Sequence, residues 1–148
     1  MVVRRAGRGD AGALFAMLQD LARFHGREAT IGRDAFERDG WDAPARFDTW
    51  IAETADGVPL GFAQGFGKYS SWSGGEVFFL ANLWVDPRRR AAGIGAALMA
   101  AVEAHARATG RSRIELTVAR DNPAAAFYRR LGLTDRGDDR MALDLDGR

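Results

Sequence analysis

Apolar and polar positions alternate along this chain with two different periods. Val2 to Arg5 reads as a short first strand. From Asp10 to about Phe24, Leu14, Leu18, Leu21 and Phe24 return at helical spacing on one stripe, with Asp10 in the N-cap position. The polar, glycine-dotted stretch from Gly26 to Pro44 predicts a loop with a short helix around Asp34 to Arg38. Phe47 to Thr54 predicts a strand, Asp56-Gly57 a hairpin turn, and Val58 to Gly67 the returning strand. Tyr69 to Gly75 is a second turn region. Glu76 to Val85 is too continuously apolar to alternate, which predicts a central strand buried on both faces and ended near Pro87.

The second half switches to helical spacing. Gly93 to Thr109 predicts a helix with Ile94, Leu98, Ala101, Val102 and His105 turned inward and Gly110 as its stop. Ile114 to Val118 predicts a strand. Asn122 and Pro123 predict the N-cap and first residue of a short helix running to Leu131 and closed by Gly132. Met141 to Leu145 predicts a last strand. The order β-α-(α)-β-β-β-α-β-α-β bunches its strands in the middle, which predicts an α+β mixed sheet and not a regular doubly wound one.

Composition narrows the chemistry. At 148 residues the chain has the size of a single domain, taken here as residues 1–148. A net charge of +1 makes no case for a nucleic-acid or membrane-surface partner. The absence of cysteine excludes a thiolate nucleophile, and with His25 and His105 as the only histidines no zinc cluster is expected, so no metal. No apolar run is long enough to span a membrane, and Met1 to Arg5 lacks a signal-peptide core. A cytoplasmic setting is the expectation.

One segment carries chemistry by itself. Arg90-Ala91-Ala92-Gly93-Ile94-Gly95 joins the apolar strand to the alanine-rich helix. A turn rich in bare amides at a helix N-terminus can cradle a pyrophosphate. It is not a Walker A loop, because no Gly-Lys-Ser/Thr follows. Nor is it a Rossmann fingerprint, because Leu98 stands where a third glycine belongs.

Together with Asn122-Pro123-Ala124-Ala125-Ala126-Phe127-Tyr128-Arg129-Arg130-Leu131-Gly132-Leu133, the Arg-x-x-Gly-x-Gly turn resembles the GNAT superfamily of N-acetyltransferases. The opening Val3-Arg4-Arg5-Ala6…Asp10 is similar to the family's first strand and helix, so the resemblance covers essentially the whole chain. It implies the GNAT (acyl-CoA N-acyltransferase) fold, a mixed, mostly antiparallel central sheet of six to seven strands flanked by about four helices.

The resemblance also implies acetyl-CoA as co-substrate. Leu83, Trp84 and Val85 would pair with the pantetheine arm. Amides of Ala91, Ala92, Gly93, Ile94, Gly95 and Ala96 would surround the pyrophosphate, with Arg90 at the start of the turn. Asn122 and Ala124 would line the cofactor, although the family's asparagine usually falls where this chain has Asp121. Tyr128 would point its hydroxyl at the thioester sulfur as the catalytic acid. Arg88 and Arg89 are candidates for the 3′-phosphate. The amine would attack directly in a ternary complex, with no covalent enzyme intermediate.

A looser resemblance points to the diamine and polyamine acetyltransferase branch. It rests on Leu21-Ala22-Arg23-Phe24, Asp39-Gly40-Trp41, Gly61-Phe62-Ala63, Trp72 and the stretch Phe79 to Val85. Phe24, His25, Trp72, Ala81 and Asn82 are the acceptor-side residues it implies. Where that branch has acids to hold a polycation, this chain has Ala81, with Asn82 as its neighbour, and His25. The expected acceptor is therefore a small primary amine of lower charge, such as an amino acid, a thialysine-like compound or a small diamine. Glu76, Glu115 and His25 are candidate general bases, and a water chain to bulk solvent is an equal alternative. The alternatives are acetylation of a protein or peptide N-terminus and a non-catalytic acyl-CoA-binding domain. Homodimers are common in the family, and the middle strands are the surface this chain would offer for one.

Overall fold

The computed structural model describes residues 1–90 and 92–145. They form two compact units, Met1–Thr117 and a second that begins at Val118.

The first unit is built on a five-stranded sheet in the order β1-β2-β3-β4-β5. Strands β1 (Val2–Arg5), β2 (Asp48–Glu53), β3 (Pro59–Ser70) and β4 (Gly75–Val85) pair antiparallel in succession, and β5 (Ile114–Glu115) joins β4 in parallel. Helices α1 (Ala11–Phe24) and α2 (Arg33–Trp41) precede β2, and α3 (Ile94–Ala108) joins β4 to β5. The mixed, mostly antiparallel α+β sheet agrees with the sequence pattern through α3, and β3 runs three residues further than expected, to Ser70.

Side-chain alternation divides the sheet into two faces. On one, the cross-strand row Ile51, Phe62 and Trp84 packs with Leu14 and Met17 of α1 and Phe36 of α2 into one buried cluster. On the other, Trp50 and Phe78 meet His105 of α3, with ring centroids 5.0 and 5.6 Å from the imidazole. Helix α3 buries Ile94, Leu98, Met99, Val102 and Ala106, while Ala101 and His105 are only half-buried. Its inward stripe therefore takes in Met99 and Ala106, which the sequence pattern had not included. Asp10 does stand at the N-cap of α1, but its carboxylate accepts from the Gly7 amide and the Arg4 guanidinium and not from the helix.

Three expectations require correction. Strand β4 is next to the sheet edge and is not buried along both faces: Glu76 and Ala81 are exposed. Its parallel pairing with β5 covers only Phe78 and Phe79, which leaves Leu80 to Val85 without a partner on that side among the described residues. Among the described residues the sheet has five strands, not six to seven. Met141 to Leu145 forms no strand, and its apolar stripe Met141, Leu143 and Leu145 is 93%, 83% and 90% exposed. Among the described residues the second unit contains no other strand to supply a pairing edge, and an isolated strand has nothing to hold it.

In the second unit α4 spans Ala124–Arg130. Pro123, not Asn122, occupies its N-cap position, while the Asn122 side chain accepts from the Ala124 amide at 2.9 Å. The cap therefore works from one residue further out. Leu131 is the C-cap residue and Gly132 follows at φ 96°.

His105 should make the fold acid-sensitive. Its Nε2 is buried without a hydrogen-bond partner among the described residues, 3.5 Å from a carboxylate oxygen of Asp48. Burial pulls its pKa below the ordinary histidine range; Asp48 offsets this in part, while Arg5 and Arg111 add to it. A base whose folded pKa is depressed contributes stability that is present above the unfolded value, about 6.5, and lost as pH falls through the folded one. Between pH 7 and 5 the unfolding free energy should fall with a slope of at most about 1.4 kcal/mol per pH unit from this group. His105→Phe should flatten that slope in a series of thermal melts, and an unchanged slope would assign it elsewhere.

Candidate active site

The end of β4 and the start of α3 make the best-defined functional geometry. Gly93 caps α3 at φ 81°, ψ 7°, in the left-handed region that a residue with a Cβ rarely adopts. No side chain caps this helix, and the first intrahelical bond of its opening turn runs from the Ala97 amide to the Gly93 carbonyl at 3.0 Å. Among the described residues the amides of Ile94, Gly95 and Ala96 have no acceptor, at the end of the helix that carries partial positive charge. Ala91, named with them from the sequence, lies outside the described residues. Ala92 and Gly93 are exposed in the same turn.

Before this turn β4 loses its regular register. Leu80 lies opposite Gly65 and Asn82 opposite Gln64, so Ala81 has no counterpart in β3: it is a bulge. Gly65 permits the approach, since a Cβ there would run into the carbonyl of Phe79 and the ring of Phe78. Beyond the bulge, Leu83, Trp84 and Val85 lie on the stretch whose outer edge β5 does not cover. An uncovered strand edge offers backbone donors and acceptors to an extended, amide-bearing ligand.

Arg90 ties this edge to α1. Its Nε donates to the Val85 carbonyl at 3.2 Å, and its guanidinium lies 4.7 Å from the Phe24 ring centroid and 5.0 Å from that of Trp84. Phe24 meets Trp84 at 5.7 Å and His25 at 5.4 Å. Residues that the sequence divides between cofactor side (Trp84, Val85, Arg90) and acceptor side (Phe24, His25) therefore stand together. Ala81 and Asn82 lie on the same strand, with Asn82 next to Trp84 in side-chain alternation. Trp72 is not brought to this group. It sits in the β3–β4 turn, 99% exposed, and β4 from Gly75 to Asn82 alone extends roughly 20 Å.

The neighbouring charges are largely committed. Arg88 bonds both oxygens of Asp86, which in turn accepts from the Arg88 amide; these bonds hold the Asp86 carboxyl down to about 2. Of the candidate bases, Glu76 pairs with Arg111 at 3.0 Å and Glu115 with Arg113 at 2.5 Å, and Arg113 holds the Glu115 carboxyl below its usual range. An acid held ionised is a weak proton acceptor. His25 alone of the three stands with the Phe24 group. Among the described residues no three His, Cys, Asp or Glu side chains gather around a possible metal position, and no helix is long and apolar enough to cross a membrane.

In the second unit Tyr128 lies on α4 beside Phe127, with ring centroids 5.2 Å apart. It is half-buried, and that burial pushes its hydroxyl up to about 12. Ala124 sits at the helix start with its amide on Asn122.

The sequence reading missed Gln64 and Thr49, the two polar side chains among the buried residues of the sheet. The signal was present: Gln64 is a single amide inside the apolar run Leu60 to Phe66.

The profile of the Acetyltransferase (GNAT) family matches residues 14–133. The thialysine N-epsilon-acetyltransferase of Sus scrofa is 30% identical over 145 residues, covering 91% of this chain and 85% of that one. The streptothricin acetyltransferase of Streptomyces lavendulae is 37% identical over 109 residues, covering 73% of this chain and 53% of the relative. An aminoglycoside acetyltransferase from an uncultured soil metagenomic sample shares the fold, with a TM-score of 0.84 at 14% identity over 97% of this chain and 95% of that one. This chain belongs to the acetyltransferase (GNAT) family, and it is an acetyl-CoA-dependent N-acetyltransferase.

Proposed function

We propose that the enzyme acetylates the primary amine of a small molecule of low positive charge, by direct attack in a ternary complex with acetyl-CoA. The observation that carries this reading is the continuity of two unfilled backbone surfaces: the uncovered edge of β4 from Leu80 to Val85 and the uncapped N-terminus of α3. An extended amide chain ending in a pyrophosphate matches both. Leu83, Trp84 and Val85 then pair with pantetheine, and the amides of the Ala92 to Ala96 turn, with Ala91, hold the pyrophosphate. In this reading Arg90 leaves the Val85 carbonyl for the phosphates. Asn122 and Ala124 line the cofactor from α4.

Chemically, the neutral amine nitrogen attacks the thioester carbon, the C–S bond breaks, the departing thiolate takes a proton from the Tyr128 hydroxyl, and the proton that the nitrogen sheds as it becomes an amide restores that hydroxyl. Burial keeps that phenol protonated, which leaves an O–H for the sulfur while making it a weaker acid than a free tyrosine. Backbone amides beside the Ala81 bulge would stabilise the developing oxyanion. An alkylammonium, with a pKa near ~10, must first lose a proton, and His25 is the base that stands with Phe24.

Acceptor charge follows from what lines β4. Ala81 and Asn82 offer no carboxylate, so a polycation gains little there. A screen of CoA release with polyamines, amino acids including thialysine, aminoglycosides and peptides tests this. A singly charged small amine should turn over fastest. Spermine leading by a wide margin would overturn the charge argument. A peptide leading would make the protein an N-terminal acetylase, and acetyl-CoA binding without any release would make it a binding domain.

A further inference from the structure

Beside the apolar row Ile51, Phe62 and Trp84 runs a polar one. Thr49 lies opposite Gln64 and Gln64 opposite Asn82, so the three cross β2, β3 and β4 on the face of the sheet that carries α1. Asn82 Nδ2 donates to Gln64 Oε1 at 2.8 Å, and Gln64 Nε2 donates to Thr49 Oγ1 at 3.5 Å. Thr49 and Gln64 are 4% and 6% exposed. Burying an amide where its neighbours in the strand are apolar is costly unless its hydrogen bonds are made. Stability alone would be served as well by a side chain like the Phe62 next to it.

The row ends at the bulge. Asn82 follows Ala81, where β4 is out of register, and precedes the uncovered edge at Leu83 to Val85. With its Nδ2 engaged by Gln64, its Oδ1 accepts no hydrogen bond among the described residues. A bulge followed by an amide with a fixed orientation is a means of aiming one acceptor oxygen at a ligand.

We infer that Gln64 is a positioning residue for the amine acceptor: it holds the Asn82 amide so that Oδ1 receives an N–H of the incoming amine, and Thr49 holds Gln64. This rests on the acetyl-transfer reading above and specifies its acceptor side. The contact supplied is a neutral dipole, which orients an amine N–H without stabilising the ammonium form as a carboxylate would. Removing Gln64 should therefore act on acceptor binding, through Asn82, and leave the donor alone.

The experiment compares the wild-type enzyme with Gln64→Leu and Gln64→Glu, measuring kcat and KM for acetyl-CoA and for the best amine of the screen. Gln64→Leu frees the Asn82 amide and should raise the amine KM roughly 3- to 10-fold, the equivalent of one hydrogen bond, with kcat and the acetyl-CoA KM within about twofold. Gln64→Glu retains an acceptor for Asn82 Nδ2 and should keep the amine KM near or below the wild-type value. An unchanged amine KM in Gln64→Leu, or an equal loss in Gln64→Glu, overturns the positioning role while leaving acetyl transfer standing. A wild-type enzyme inert toward every amine instead removes the reading on which it rests. If Gln64→Leu does not fold, Thr49→Val breaks the same chain one link further back and should raise the amine KM about 3-fold; no rise overturns the inference.

Discussion

Ala96→Glu is expected to make the protein slightly more stable and nearly unable to use acetyl-CoA. Ala96 is exposed in the first turn of α3, where no side chain caps the helix. A carboxylate there faces the positive end of the helix dipole and should stabilise the fold by about 0.3–1 kcal/mol. The same carboxylate would occupy the region proposed for the pyrophosphate. Two unit charges about 6 Å apart at an effective dielectric near 20 repel by roughly 3 kcal/mol, which is about 100-fold in affinity. Opposite signs on stability and on donor binding cannot come from general damage. Thermal melts and the acetyl-CoA KM read the two effects separately. Added salt should recover part of the loss, and Ala96→Gln, of similar size and no charge, should lose far less. A donor KM that does not move in Ala96→Glu would take the turn out of the donor site.

Much of the first unit was legible because its signals are local. Leu14, Leu18, Leu21 and Phe24 share a helical stripe, Asp56-Gly57 marks a hairpin, and the glycines from Gly93 to Gly95 mark where a strand gives way to a helix. The glycine turn at the N-terminus of α3 was legible for the same reason: it is contiguous in the chain. What the pattern could not give depends on pairing between distant residues. The bulge at Ala81 exists because β3 and β4 fall out of step between Gly65 and Gln64, and neither segment shows this alone. The uncovered edge of β4 depends on how far β5 extends. The apolar run from Glu76 to Val85 suggested burial on both faces, whereas the register change and the short β5 leave part of it open. The contact of Arg90 with Phe24 links residues on opposite sides of β2 and β3 in the chain, and no spacing rule reaches that far. Met141, Leu143 and Leu145 misled in the other direction: alternation proposes a strand, but a strand also requires a partner edge.

Tyr128→Phe should lower kcat by on the order of 100-fold, near the lower end of what a positioned general acid contributes, while the acetyl-CoA KM stays within about twofold. The substitution removes one hydroxyl and keeps the ring beside Phe127, so α4 retains its packing. The pH dependence provides a second readout. An acid catalyst must be protonated to act, and a free phenol would begin to lose its proton as pH approaches about 10. Burial pushes Tyr128 to about 12, so its proton is still held where an exposed tyrosine would be losing it. The kcat profile should therefore rise as the amine deprotonates and show no falling limb from Tyr128 up to about pH 11, one unit below that value. A falling limb centred near pH 9 in the wild-type enzyme would make the proton donor a different group. A Tyr128→Phe enzyme with undiminished kcat would mean that the thiolate leaves unprotonated or takes its proton from water, and Tyr128 would then have no part in the chemical step.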